Sequence, residues 1–289
     1  MKHEQYPALF RSADTASNKY QRNYLNLIKA EYFLLFVASV LSLSVFASSI
    51  VYAIATVVLG MSAAVLLTRA VGKPEQDWYK CRALAESVKT LTWRYSMCAF
   101  PFGEGDQINA RNEFRENLEK TFKSNSDAAT KIAEDWSAEN QITAEMTRLR
   151  ALPLSDRKAF YQIHRINEQR EWYSRKAAWN RKMSRRWVTV SVISYIAAAG
   201  FSVARIVHPE INLWPIDPLI VVATSIVGWL QIKKFNELAA AYSVTSQEIG
   251  LINITLEHSE DVNSFSDFVI EAETAFSREH TLWIARQAN

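Results

Sequence analysis

The stretch YFLLFVASVLSLSVFASSIVYAIATVVLGMSAAVLLT, residues 32–68, decides the fold because its 37 residues include no charged side chain. As a single helix it would be about 55 Å long, nearly twice the hydrocarbon thickness of a bilayer, which is about 30 Å. Two helices joined by a turn near Ser48 and Ser49 fit that thickness. The stretch therefore predicts a transmembrane hairpin with spans at about 32–48 and 50–69.

A second apolar region predicts a second hairpin. The runs WVTVSVISYIAAAGFSVA and PLIVVATSIVGWLQI are separated by a proline-rich segment that carries Arg205 and Asp217. Charges and prolines are typical of an interfacial loop between two spans. We place these spans at about 187–205 and 213–232. A pair of buried helices in a soluble protein is the alternative for this shorter hairpin and, more weakly, for the first.

The rest of the chain has helical periodicity. Leu84, Val88, Leu91 and Tyr95 recur at three- and four-residue spacing, which places one apolar stripe along a helix. We therefore predict an all-α fold. It is a helical membrane protein with two transmembrane hairpins, hence four spans, and a helical cytoplasmic bundle.

Basic residues predict the orientation of the spans. Lys29 precedes the first span, Arg69 follows the second, a basic cluster at 175–186 precedes the third, and Lys233 follows the fourth. By the positive-inside rule, both termini and the long middle segment face the cytoplasm. The formal net charge is only +3, so we expect no nucleic acid partner. We interpret the basic cluster as a contact for membrane lipid headgroups.

The two halves also echo each other, since each has a basic helix entering a hairpin and another helix leaving it. Three blocks carry a family resemblance: AESVKTLTWRY with the following PF (85–102), LPLSDRKAFYQIHRINEQREWYSRKAAWN (152–180) and SREHTLWIAR (277–286). They resemble the recurring blocks of the SLATT domains, which are bacterial two-span membrane effector domains. The resemblance covers most of the chain.

The resemblance implies two SLATT-like units in tandem. The first occupies residues 1–102, connecting cytoplasmic helices occupy 103–151, and the second unit occupies 152–289. Membership implies a place in prokaryotic conflict systems, including antiviral defence. There a nucleotide-signalling or sensor partner triggers the domain, which is thought to form a homo-oligomer and to perforate or depolarise the bacterial inner membrane.

No pattern in the sequence predicts catalysis. Patterns such as HExxH, GxSxG, GxGxxG and the phosphate-binding loop are absent from the sequence. Cys81 and Cys98 have no further cysteine or histidine at a metal-site spacing. Ser277 and His280 can approach each other on a helix, but nothing beside them marks an oxyanion site. We expect no enzyme activity, no cofactor and no metal.

Small and hydroxyl-bearing residues are the candidate span-packing or pore residues. Thr56, Gly60, Ala64 and Thr68 lie four residues apart, which forms a stripe that lets helices approach closely. Ser42 places a hydroxyl near the end of the first span. Packing within one chain explains these residues, and so does the lining of a pore between several copies.

A second set of candidates lies on the predicted cytoplasmic helices. These residues are expected to form a docking or gating surface, and they are Glu86, Trp93, Arg94, Arg278, Glu279 and Trp283. The arginines are candidates for meeting a signal nucleotide if the helices form a bundle; ordinary surface ion pairs are the alternative. Trp283 is expected to bury a large apolar area against other helices.

Together with the resemblance, these observations predict a membrane effector of a prokaryotic defence or conflict system, which oligomerises and forms a pore or depolarises the inner membrane when a signal or partner activates it. The alternative is a non-conducting membrane scaffold that anchors a sensor or signalling partner.

Overall fold

The computed structural model is 85% helical. It describes residues 1–43, 46, 48–132, 140–257, 259 and 261–288, and the side chains of these residues except 254, 255, 257 and 278–288. No strand occurs in these ranges, so the all-α prediction is confirmed. The helices are α1 (Ala8–Leu41), α2 (Ser49–Gly72), α3 (Pro74–Ser96), α4 (Gln107–Ser124), α5 (Ser126–Ala129), α6 (Ala144–Arg150), α7 (Leu154–Tyr161), α8 (Glu168–Val207), α9 (Ile216–Lys233), α10 (Phe235–Glu257) and α11 (Val262–Ala288).

Local sequence explains several of the helix starts. The α2 helix is capped by Ser48, whose hydroxyl accepts a hydrogen bond from the backbone N–H of Val51. Asp106 caps α4 in the same way through the N–H of Ile108. Pro74 is the first residue of α3, where its missing N–H leaves no hydrogen bond unmade. Between α7 and α8, the segment Gln162–Asn167 forms a π-helical turn, so the chain stays helical without a break.

The first hairpin differs from its predicted bounds. The α1 helix ends at Leu41, and α2 begins at Ser49, so the connection occupies residues 42–48 rather than a tight turn at Ser48 and Ser49. The physical reason is the chemistry of serine, which competes for backbone groups and favours helix ends. Ser42 bonds back to the carbonyl of Ala38, while Ser48 is committed to capping α2. The α1 helix therefore ends seven residues before the predicted end of the span at 32–48.

The chain forms two compact units, each drawing on both halves of the sequence. We call residues 1–21, 74–175 and 241–289 the bundle unit, and residues 22–73 and 176–240 the hairpin unit. These units cut across the predicted segments 1–102, 103–151 and 152–289. That three-part division stays a prediction about order along the chain.

The bundle unit has a continuous hydrophobic core. Its largest fully buried side chains come from helices distant in sequence, including Trp93 and Tyr95 of α3, Phe114 of α4 and Phe265 of α11. Tyr161, at the end of α7, contacts the rings of Trp93 and Phe265 edge-on. The core therefore joins helices from both halves of the sequence into one body.

The hairpin unit contains the apolar parts of four helices that are long and apolar enough to cross a membrane. Each hairpin's second helix ends in the same way. Lys73 follows α2 and Lys234 follows α9, and both adopt the left-handed backbone conformation, with φ of 42° and 45°. In each case the lysine N–H bonds to the carbonyl four residues earlier, on Arg69 or Leu230. The tandem repeat is thus visible in the backbone as well as in the sequence pattern.

Candidate functional site

The surface of the hairpin unit is apolar. Ile50 and Val71 on α2 and Ile206 on α8 are 74%, 82% and 79% exposed, although side chains of this kind are normally buried in a soluble protein. On α2 only Ala55 and Ser62 are fully buried. A lipid environment accounts for such a surface, because lipid tails are as apolar as the side chains themselves.

Charge is concentrated in the same unit, at one end of its spans. The hairpin unit carries 12 Lys and Arg against 4 Asp and Glu, a formal net charge of +8, whereas the bundle unit carries 21 against 26, a formal net charge of −5. Arg205 differs from the other 11, because it lies in the last turn of α8, next to the second hairpin connection. Within the basic cluster at 175–186, Arg181, Lys182, Arg185 and Arg186 are all exposed. Their predicted contact with acidic lipid headgroups stays a prediction.

Two polar contacts join neighbouring spans. Arg69 of α2 pairs with Glu31 of α1, with 3.1 Å between Nη2 and Oε2, and both side chains are at least three-quarters buried. Ser191 of α8 donates its hydroxyl to the carbonyl of Ala223 on α9 at 3.3 Å. Each hairpin therefore has a side-chain hydrogen bond between its two helices, and the first of these is charge-assisted.

A close approach also connects the two hairpins. A Cβ atom placed on Gly228 of α9 would overlap the hydroxyl oxygen of Tyr32 on α1 and would lie 3.3 Å from its Cζ. A side chain here would have to displace the end of the tyrosine, so glycine allows Tyr32 to lie against α9. The sequence analysis did not single out this contact, although a lone glycine inside an apolar span is a signal for close packing.

The predicted small-residue stripe lies elsewhere. Thr56, Gly60, Ala64 and Thr68 are all exposed, and a Cβ on Gly60 would meet no atom within 4 Å. The two threonine hydroxyls donate to carbonyls of their own helix, on Tyr52 and Ala64. Ser42 likewise bonds to its own helix. The stripe therefore does not pack against another span within the chain, and its role as a packing or pore surface between copies stays a prediction.

In the bundle unit, Trp93 is part of the core rather than of an open docking surface. Its side chain is 1% exposed, and its Nε1–H donates to the hydroxyl of Tyr6 at 3.0 Å. Burial raises the pKa of Tyr6 above its ordinary value, so the hydroxyl stays protonated at neutral pH. The predicted docking or gating role of Trp93 stays a prediction.

A buried ion pair lies beside Trp93. Arg165 on the π-helical turn and Glu273 on α11 are 2% and 0% exposed, and they form two parallel hydrogen bonds of 2.8 and 2.7 Å. The hydroxyl of Tyr161 donates to the same carboxylate at 2.9 Å. The guanidinium also lies over the rings of Trp93 and Phe276, at 5.7 and 4.6 Å. We call Tyr161, Arg165 and Glu273 the buried ionic cluster.

Electrostatics keeps Arg165 charged and Tyr161 protonated. Burial opposes charge on Arg165, but the Glu273 carboxylate outweighs it and raises the pKa of the guanidinium above its ordinary value. Burial and then the charge of Glu273 raise the pKa of Tyr161 well above its ordinary value. The tyrosine therefore remains a hydrogen-bond donor to the side chain of Glu273.

The other predicted docking residues make local contacts. Glu86 bonds Arg82 at 2.5 Å one turn away on α3, and Arg82 also reaches Asp14 of α1 at 3.3 Å. Arg94 donates to the carbonyl of Phe100, just beyond the end of α3. The structure thus places Glu86 in an ion-pair chain between helices and Arg94 in a loop contact.

The remaining candidates lie at the end of α11. The structure describes the helical backbone there, but the side chains of Arg278, Glu279, His280 and Trp283 lie outside the described residues. Their docking role stays a prediction. Across the residues that are described, no three of the side-chain types His, Cys, Asp and Glu gather closely enough to hold a metal ion.

The sequence analysis missed the buried ionic cluster. Its signal is a charged residue within an apolar helical stripe: Glu273 lies among Val269, Ala272 and Phe276, and Arg165 lies next to Ile166. A charge in such a position is normally paired with an opposite one.

Comparisons with known families agree with this architecture. Residues 7–158 match the family described as SMODS and SLOG-associating 2TM effector domain 3, and residues 161–283 match SMODS and SLOG-associating 2TM effector domain 1. The predicted tandem arrangement is confirmed. No curated protein and no solved structure matches the chain. Two matched 2TM domains and four candidate spans together indicate a multi-pass membrane protein.

Proposed function

Because the chain belongs to the SLATT family, with two of its 2TM effector domains in tandem, we propose that it depolarises or perforates the membrane as the effector of a prokaryotic conflict system. The observation that carries this proposal is the outward-facing apolar surface of α2, on which the small-residue stripe is open. An open stripe of this kind is suited to close contact between helices of different copies.

The proposed mechanism is a shift between two assembly states. In the resting state, separate copies present their spans to lipid. The signal is a partner or a nucleotide that binds the bundle unit. If it binds the assembled state more tightly than the resting state, it shifts the population towards the assembled state. Conduction then requires that several copies pack through the exposed faces of their hairpins. We propose no chemical step, no cofactor and no nucleic acid partner.

We also propose the orientation and location. The cation-rich ends of the spans, with both termini, face the cytoplasm of a bacterial cell, and the spans lie in its inner membrane. The charges that support this orientation include Lys29, Arg69, Lys233 and the cluster at 175–186.

A membrane-potential dye tests the effector proposal. Cells that express the full chain with its activating genes should lose their potential, whereas Gly60→Leu cells should keep it, because the leucine fills the open stripe. Gly200→Leu is the matched control, since Gly200 of α8 is also exposed and a Cβ there would meet no atom within 4 Å. Cells that keep their potential under every activating condition would contradict the proposal.

A non-conducting scaffold is the second candidate. It is favoured by the hydroxyls of Thr56 and Thr68, which are already bonded to their own helix and offer little to a water-filled path. Replacing both hairpins with foreign transmembrane hairpins distinguishes the two functions. Retained function after the replacement supports the scaffold, and lost function supports the effector.

A further inference from the structure

A polar pocket lies in the bundle unit, outside the buried ionic cluster. It is bordered by the loop after α3 and by the first residues of α4 and α7, and its volume is about 240 Å³. The residues that matter for its chemistry are Cys98, Glu104, Gln107, Arg150, Leu154 and Arg157. None of them belongs to the set that the sequence predicted for docking.

Arg150 brings a buried positive charge to this pocket. It is 9% exposed, and its Nη1 donates to the carbonyl oxygens of Tyr95 and Phe102 at 2.9 and 2.6 Å. Its Nη2 donates to the carbonyl of Gly103. All three acceptors are neutral, so they satisfy the hydrogen-bond donors without cancelling the charge. No carboxylate pairs with Arg150 in the described part of the chain.

Arg157 brings a second buried charge and an unused donor. It is 3% exposed; its Nη1 donates to the carbonyl of Met97 at 3.4 Å, and its Nη2 pairs with the carboxylate of Glu104. Its Nε has no hydrogen-bond partner among the described residues, although it is buried. A buried donor without a partner costs free energy, which a suitable acceptor would recover.

The balance of charge favours an anion. Two guanidinium groups face one carboxylate, so the pocket keeps a formal charge of +1. That carboxylate, on Glu104, is 42% exposed and lies in the loop between α3 and α4. The α7 helix begins at the pocket with Leu154, and its N-cap residue is Pro153, which has no side chain able to cap the first N–H groups. Burial raises the pKa of the Cys98 thiol, so it remains neutral and does not repel an anion.

We propose that this pocket binds the phosphate group of a small soluble molecule, which displaces the Glu104 carboxylate from Arg157. Phosphate is favoured over a further carboxylate because a dianion can satisfy both guanidinium groups, whereas Glu104 pairs with one. Arginine forks bind phosphate oxygens in pairs of hydrogen bonds, and a helix start adds N–H donors. The volume limits the ligand to a phosphate, a pyrophosphate or a compact nucleotide.

Isothermal titration calorimetry on the full chain in detergent tests this site. The probes are inorganic phosphate, pyrophosphate and adenosine 5′-monophosphate, each in phosphate-free buffer. Glu104→Gln removes the competing carboxylate and should tighten binding by about tenfold, while Gln107→Glu adds a carboxylate at the rim and should weaken it by about tenfold. Both positions are exposed. Because Glu104 pairs with the buried Arg157, the melting temperature of Glu104→Gln is measured as well, and the amide oxygen of the glutamine can still accept a hydrogen bond from the guanidinium.

Asn112→Glu is the matched control, because Asn112 is exposed on α4 and does not line the pocket. It should bind each probe as the unchanged protein does. Tighter binding of the nucleotide than of pyrophosphate would assign the site to nucleotides; equal binding would assign it to phosphate groups alone. The proposal fails if no probe binds at about 10 mM, or if the three variants share one Kd. Binding is measured without any membrane assay, so its failure and that of the proposed function are separate results.

Discussion

The bundle unit and the hairpin unit differ in how their helices pack. In the bundle unit, Arg165 and Glu273 form a fully buried ion pair, and aromatic rings surround it. In the hairpin unit, the ion pair of Arg69 and Glu31 is only partly buried, and a close approach at Gly228 and Tyr32 depends on a missing side chain. The difference follows from the surroundings. Burial of a large apolar core offsets the cost of a buried ion pair in water, whereas helices in lipid gain nothing from burying apolar area and instead need close packing.

The largest expected effect comes from breaking the buried ionic cluster. Glu273→Gln leaves Arg165 charged, buried and without an anion, which should lower the free energy of unfolding by about 3–5 kcal/mol. In thermal unfolding of the detergent-solubilised chain, we expect the melting temperature to fall by about 10 °C.

Glu271→Gln serves as the control for that change. Glu271 is exposed and lies two residues from Glu273 on the same helix. Its replacement should leave the melting temperature within about 2 °C of the starting value. Similar losses for both variants would mean that the cluster contributes no more than a surface carboxylate does.

A smaller effect is expected at the glycine contact between hairpins. Gly228→Ala places a methyl group against the Tyr32 hydroxyl and should cost about 1–3 kcal/mol through overpacking. Adding Tyr32→Phe removes the nearest atom but leaves Cζ, which lies 3.3 Å from the added carbon. The double variant should therefore recover part of the lost melting temperature. No recovery at all would show that the contact is not the cause.

The hydrogen bond within the second hairpin should contribute less. Ser191→Ala removes the 3.3 Å bond to the carbonyl of Ala223. Hydrogen bonds between transmembrane helices contribute about 0.6 kcal/mol on average, so we expect a fall in melting temperature of about 2 °C. Ser194→Ala is the control, because the Ser194 hydroxyl bonds only to Val190 on its own helix. The interhelical assignment is wrong if Ser194→Ala costs more than Ser191→Ala.

The smallest effect on stability is expected at Gly60. A Cβ atom at Gly60 would meet no atom within 4 Å, and the residue is exposed, so Gly60→Leu should change the stability of the single chain by less than about 0.5 kcal/mol. Its effect should appear instead in assembly, where chemical cross-linking in membranes should yield fewer oligomers than for Gly200→Leu. A large loss of single-chain stability would place the stripe on a packed face, as at Gly228.

The hairpins could be predicted from the sequence because length and the absence of charge limit the structures that a 37-residue apolar segment can adopt. The end of α1 at Leu41 was not predicted, because the same residue type does two different things here. The Ser42 hydroxyl donates to the carbonyl of Ala38 in the preceding helix, whereas the Ser48 hydroxyl caps the start of the next helix. Periodicity identified the α3 stripe of Leu84 and Val88, both of which are fully buried.

The contacts between distant segments could not be predicted. Arg165 and Glu273 are 108 residues apart, and only the folded chain brings them together. Likewise, Thr56, Gly60, Ala64 and Thr68 form a regular stripe, but which side of α2 packs depends on where α1 lies. The stripe pattern is compatible with either a buried or an exposed face of α2, and in the structure the four residues are exposed.

Lys73 and Lys234 give the repeat a further consequence. A helix commonly ends with a left-handed residue, which is usually glycine because a side chain in that conformation is disfavoured. Both hairpins instead have a lysine there. Each lysine combines a left-handed helix end with a basic side chain at the edge of an apolar segment. A basic residue therefore ends the second helix of both hairpins, at equivalent points of the repeat.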